Sequence, residues 1–102
     1  ASLYILLAKL HTISNHYAEA VQAYSQAYRL RHKIDLLRSV ADIHLAQGNR
    51  DWFVQTVEII NRRCTETPLR CLPYIKRLEN YNRILNKLPD HLTKEHAPDH
   101  KK

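Results

Sequence analysis

Residues 17–30, YAEAVQAYSQAYRL, decide the fold class. Tyr17, Ala20, Val21, Tyr24, Ala27 and Tyr28, with Leu30 at the end, recur at helical spacing, so one stripe of a helix is apolar. Glu19, Gln22, Ser25, Gln26 and Arg29 fall largely on the other faces. Alanine on a buried stripe lets a second helix approach closely, so this helix is expected to pack against a neighbour over most of its length.

Working outward, a helix is expected over residues 2–14, with Tyr4, Leu7, Ala8 and His11 on one packed face and Ile5, Leu6, Leu10 and Ile13 broadening it. A helix this apolar is expected to be covered on more than one side. Asn15, one of the few non-glycine residues that tolerate the left-handed conformation, should end it. Beyond the central stretch, Asp35 reads as the N-cap of a helix over 36–47, and Gly48 as its stop. A fourth helix follows to about Cys64, carrying Trp52, Phe53, Val54, Val57, Ile59 and Ile60. One of its two adjacent aromatics, Trp52 or Phe53, must lie off the core stripe and is a candidate contact for self-association. Residues 65–73 hold two prolines and break the pattern, Thr67 and Pro68 reading as N-cap and first helical position. A last helix over about 73–88 has the stripe Leu72, Ile75, Leu78, Tyr81, Leu85 and Leu88. Residues 89–102 are polar and without period, and read as a disordered tail.

The composition agrees. In 102 residues there is one Gly and there are four Pro, too few for the turns of a sheet, so the chain is expected to be all-α with one domain over 1–88. Charges interrupt every hydrophobic stretch, so no transmembrane helix is expected. The chain has neither a signal-peptide pattern nor any Met, and reads as a fragment of a longer protein. A net charge of +6 is compatible with acidic partners, nucleic acid or simple solubility, and the cations are spread rather than massed. Cys64 and Cys71 read as two thiols in a reducing compartment, which makes the expected localisation cytoplasmic.

Shifting the chain by thirty-three residues superposes Tyr4 on Leu37, Leu7 on Val40, Ala8 on Ala41, His11 on His44 and Asn15 on Gly48. In the second helices Val21 meets Val54, Tyr24 meets Val57 and Ala27 meets Ile60. Two copies of a helix–turn–helix unit follow, over about 2–33 and 35–66, with the helix at 73–88 as a cap over the open end.

These residues resemble the tetratricopeptide repeat family. Tyr4, Leu7, Ala8, Tyr17, Ala20, Tyr24 and Ala27 match its pattern in the first copy, where His11 stands for an aromatic and His32 for the closing Pro. In the second, Val40, Ala41, Gly48 and Asn49 match, while Phe53 and Ile60 replace alanines. The resemblance implies a non-enzymatic scaffold or adaptor that binds a peptide or helix of a partner protein in a concave groove. Carried over residue by residue, that groove is lined by Ser2, Ile5, Lys9, Thr12 and Ile13 from the first copy and Asp35, Arg38, Asp42, Leu45 and Ala46 from the second. Ile5, Lys9, Thr12, Ile13, Arg38, Asp42 and Leu45 are its candidate binding residues. Some family members clamp a C-terminal carboxylate with Lys and Asn; here Ile5 and Lys9 stand at two of those positions, so that ligand is not expected.

No catalytic motif is present: phosphate loops need several glycines, and neither cysteine has an orienting base nearby. No cofactor and no metal are expected. His11 and His44 read as core histidines, since two ligands do not complete a metal site. His91, Glu95, His96 and His100 have spacings suited to a metal but fall in the tail, where binding would have to order the chain. The rival to the groove is a basic face, Arg62, Arg63, Arg70, Lys76, Arg77, Arg83 and Lys87, with Tyr74 and Tyr81 nearby, which could hold single-stranded nucleic acid, chiefly on Lys76, Arg77, Arg83 and Lys87. A solvated helix face is the commoner use of such residues.

Overall fold

The computed structural model describes residues 2–87. Every described element is helical, in the order α1 Ser2–Ile13, α2 Tyr17–Arg31, α3 Ile34–Gln47, α4 Arg50–Glu66, the single turn α5 Pro68–Cys71, a 3-10 turn Leu72–Tyr74, and α6 Ile75–Lys87. The fold is all-α. Leu88 and the tail residues, including His91, Glu95, His96 and His100, lie outside the described residues.

Two of the tight turns share one geometry. Asn15 takes a φ of 63°; its N–H bonds to the Thr12 carbonyl at 3.1 Å and that of His16 to the His11 carbonyl at 2.8 Å. Thirty-three residues on, Gly48 takes a φ of 74°; its N–H reaches the Leu45 carbonyl at 3.1 Å and that of Asn49 the His44 carbonyl at 2.9 Å. Both are the left-handed helix ending in which two orphan carbonyls are satisfied at once. His32 ends α2 in the same conformation, with a φ of 52°.

Asp35 is not the N-cap of α3. The left-handed His32 and the extended Lys33 bring the chain back into helix at Ile34, which is buried, so the helix starts earlier than expected. Asp35 sits in its first turn and accepts from Arg38 Nε at 2.6 Å.

Successive helices pack on one another: α1 on α2, α2 on α3, α3 on α4, and α4 on α5 and α6. The core has two parts. One gathers Ala8, Ala20, Ala23, Tyr24, Ala27, Leu36, Val40 and Ile43 between α1, α2 and α3. The other gathers Ile34, Leu37, Ala41, Phe53, Val57, Ile60, Leu78 and Tyr81 between α3, α4 and α6, with Cys71 on its edge. Ala8, Ala20, Ala27 and Ala41 are fully buried, as expected of small residues at close helix contacts. The half-buried Tyr28 lies against both parts, and Arg63 of α4 donates to its hydroxyl and stands over its ring at 5.7 Å.

The outer face of α1 is uncovered: Leu3, Leu6, Leu10 and Ile13 are 67%, 55%, 52% and 79% exposed. An apolar helix does not by itself specify a cover, and among the described residues nothing lies on that side. The cysteines are also not free thiols. Cys64 and Cys71 are joined by a disulfide, with Cα atoms 5.7 Å apart. The break at Thr67 and Pro68 ends α4 and starts α5, turning the chain so that the end of one helix meets the end of the next.

Pro73, expected to open the last helix, stands in the 3-10 turn, where its missing N–H interrupts no helix interior, and α6 starts at Ile75. Of the expected stripe, Leu78 and Tyr81 are buried and Leu85 half-buried, whereas Leu72 and Ile75 are exposed.

Candidate functional site

α6 is fixed across the molecule by polar contacts as well as by its core stripe. Asp42 of α3 receives Arg38 Nη1 at 3.0 Å, Arg77 Nη1 at 3.2 Å and the Tyr81 hydroxyl. That hydroxyl also lies 3.2 Å from the Arg38 carbonyl oxygen, a second acceptor. Burial, then the hydrogen bond to Asp42 and its negative charge, raises the Tyr81 pKa well above the tyrosine range, so this phenol is a donor. On Arg38, burial opposes the charge, but the hydrogen bond to Asp35 and the charges of Asp35 and Asp42 raise its pKa overall. Asn61 of α4 and Asn82 of α6 exchange hydrogen bonds at 3.0 and 3.3 Å.

Beside this network runs an open groove of about 630 Å³, lined by Asp35 and Arg38 on α3 and by residues 72–77 opposite. A second recess, about 230 Å³, shares Asp35 and Tyr74 with it and adds His32, Lys33, Ile34 and Arg70. The charges are uneven. The two acids, Asp35 and Asp42, are engaged by Arg38 and Arg77. Lys33, Arg70 and Lys76 are exposed and have no ion-pair partner among the described residues. Leu72 and Ile75 offer apolar surface between them. Together the groove, with Lys76, Leu72 and Ile75, and the recess, with Lys33 and Arg70, can take negative charge beside one or two apolar side chains.

The candidate residues divide. Arg38 lines the groove, together with Lys76 and Arg77 from the basic face, so parts of the two candidate sites adjoin. Asp42 is spent on internal contacts. Ile5 leans on the first core cluster, and Thr12 bonds back to the Ala8 carbonyl at 2.7 Å. Lys9 and Ile13 are exposed on α1, away from the cavity lined by Arg38. Leu45 lines a different cavity of about 300 Å³, with His44, Gly48, Arg50, Phe53 and Ile84. On α6, Lys76, Arg83 and Lys87 share one exposed stripe by their spacing, whereas Arg77 is turned to Asp42 beside Tyr81.

His44 is buried, its Nδ1 lacks a hydrogen-bond partner, and burial lowers its pKa, so it is held neutral. Its ring stacks on Trp52 at 6.1 Å. His11 is only half-buried and lies 5.9 Å from His16, so it is less a core residue than expected. Trp52 is the aromatic left outside, 60% exposed, against 1% for Phe53. No group of three or more metal-ligating side chains occurs among the described residues, and no described helix is long and apolar enough to cross a membrane.

Arg70 and Lys76 belong to the basic face expected from the sequence, but Lys33, Leu72 and Ile75 do not, because they join it only when the α5 turn brings residues 70–76 against α3. No family model, no curated protein and no solved structure matches the chain.

Proposed function

We propose that the chain is a non-enzymatic protein–protein interaction module, built of tetratricopeptide-like helix pairs. It takes an extended acidic segment of a partner protein in the groove between α3 and residues 70–77. The observation that carries this is the charge imbalance: Asp35 and Asp42 are satisfied from within, while among the described residues Lys33 and Arg70 in the recess and Lys76 in the groove have no ion-pair partner, and exposed Leu72 and Ile75 line the groove beside them. Rim cations steer an acidic peptide and fix its register, and apolar anchors supply the dry contact. The repeat assignment draws its support from the matching helix endings at Asn15 and Gly48 and from the equivalent buried Ala8 and Ala41.

The expected cytoplasmic placement rested on free thiols. A bonded Cys64–Cys71 pair suits a compartment in which disulfides persist, so the proposal names no compartment.

The test is selection from a displayed random-peptide library on the immobilised chain. The proposal expects enrichment of Asp and Glu around an apolar residue, with binding lost in Lys33→Glu/Lys76→Glu. Absence of enrichment, or peptides that bind the double variant equally well, would overturn it. The second reading, single-stranded nucleic acid on the Lys76, Arg83 and Lys87 stripe of α6, predicts instead salt-sensitive oligonucleotide binding weakened by Arg83→Glu.

A further inference from the structure

From the uncovered face of α1 we infer that the chain self-associates, pairing α1 with the α1 of a second copy about a two-fold axis. Leu3, Leu6, Leu10 and Ile13 follow one another at intervals of three, four and three residues. That is the spacing of a seam at which two helices interlock, and it lies opposite the fully buried Ala8 that faces α2 and α3. α1 carries no acidic residue, and Lys9, at the edge of the stripe, is its one Lys or Arg. The face therefore has none of the charges that normally keep a solvated helix surface in water.

Its size fits a second copy. The four side chains leave roughly 450 Å² open, as large as the largest apolar patch of an ordinary monomer, which is often a functional one. Two such faces fully covered would bury about 900 Å², the size of a weak, concentration-dependent contact. In an antiparallel pair Leu3 meets Ile13 and Leu6 meets Leu10, so the stripe is complementary to itself, as a two-fold contact requires. Lys9 then lies near its own copy, and each chain brings a charge of +6. Screening that repulsion strengthens the pair, so dimerisation increases with salt, opposite to the behaviour of acidic-peptide binding in the groove.

Sedimentation equilibrium of the whole chain between micromolar and millimolar concentration, at low and high salt, tests this. The expected result is a monomer–dimer equilibrium that tightens with salt. Leu6→Glu/Leu10→Glu should weaken it by roughly 100-fold or more, while Trp52→Ser, which alters the exposed aromatic of α4, should leave it unchanged. Circular dichroism checks that the variant keeps the wild-type helicity; should it not, the milder Leu10→Gln takes its place and should weaken the dimer in the same direction. A wild-type chain that stays monomeric throughout, a folded stripe variant that dimerises normally, or a dimer broken by Trp52→Ser would overturn the inference.

Discussion

Tyr81 of α6 donates its hydroxyl proton to the carboxylate of Asp42 on α3, thirty-nine residues earlier in the chain. The same carboxylate holds Arg38 and Arg77, so one acid fastens the last helix to the third through two residues that line the groove. The Tyr81 ring meanwhile stands edge-on to Phe53 at 5.6 Å in the core.

Tyr81→Phe keeps that ring contact and removes a hydrogen bond to a charged acceptor. It should lower unfolding stability by about 1.5–3 kcal/mol in urea denaturation. Because the folded-state pKa is raised, the hydroxyl's contribution is present below the unfolded value of about 10 and is lost as pH climbs above it. The difference between wild type and variant should therefore be flat from pH 6 to 9 and shrink beyond 10. A difference that changes between pH 6 and 8 would contradict this role.

His44 is buried and neutral, with a pKa below its ordinary 6.5. As pH falls through about 6.5 the unfolded chain binds a proton that the folded chain refuses, so stability declines with acidification. His44→Phe keeps an aromatic ring against Trp52 and removes that titration. Wild type should lose stability relative to the variant between pH 7 and pH 5, read from denaturation midpoints at each pH. Parallel curves would show that His44 protonates freely in the fold.

The Cys64–Cys71 bond closes a short loop around the α4–α5 turn. Reduction, or Cys64→Ser/Cys71→Ser, should lower stability by about 2.5 kcal/mol, mostly by freeing the unfolded chain. Thiol titration of the protein purified without reductant should find no reactive cysteine before unfolding in reductant. Two titrating thiols in the native protein would contradict the pairing.

Lys33→Glu/Lys76→Glu should reduce affinity for an acidic peptide at least about tenfold and flatten its salt dependence, since Lys76 lines the groove and Lys33 the recess beside it. Arg83→Glu/Lys87→Glu, on the neighbouring stripe of α6, should leave it unchanged. Fluorescence anisotropy of a labelled peptide selected on the wild-type chain measures both.

Much of the fold was legible because its signals are local. Asn15 and Gly48 announced left-handed helix endings, and the stripes through Ala20, Tyr24 and Ala27 and through Val57 and Ile60 are buried as their spacing predicts. What failed depended on distance. Helical periodicity shows that Leu3, Leu6, Leu10 and Ile13 can pack, but not whether anything covers them. Cys64 and Cys71 looked like separate thiols until the α5 turn set their Cα atoms 5.7 Å apart. Arg77 read as part of a basic face because Asp42, thirty-five residues away, gives no local sign that it will claim it. Of the residues expected to line the groove, Asp35 and Arg38 border the cavity proposed as the site and the others do not, because the Pro73 turn, rather than α1, forms its other wall.

Amide NMR titration of the isotope-labelled chain with an acidic peptide selected on it maps the groove residue by residue. Chemical-shift changes should concentrate at Lys33, Arg38, Arg70, Tyr74, Ile75 and Lys76 and saturate with the peptide. Changes confined to α1, or to Arg83 and Lys87, would place recognition elsewhere and contradict the groove as its site.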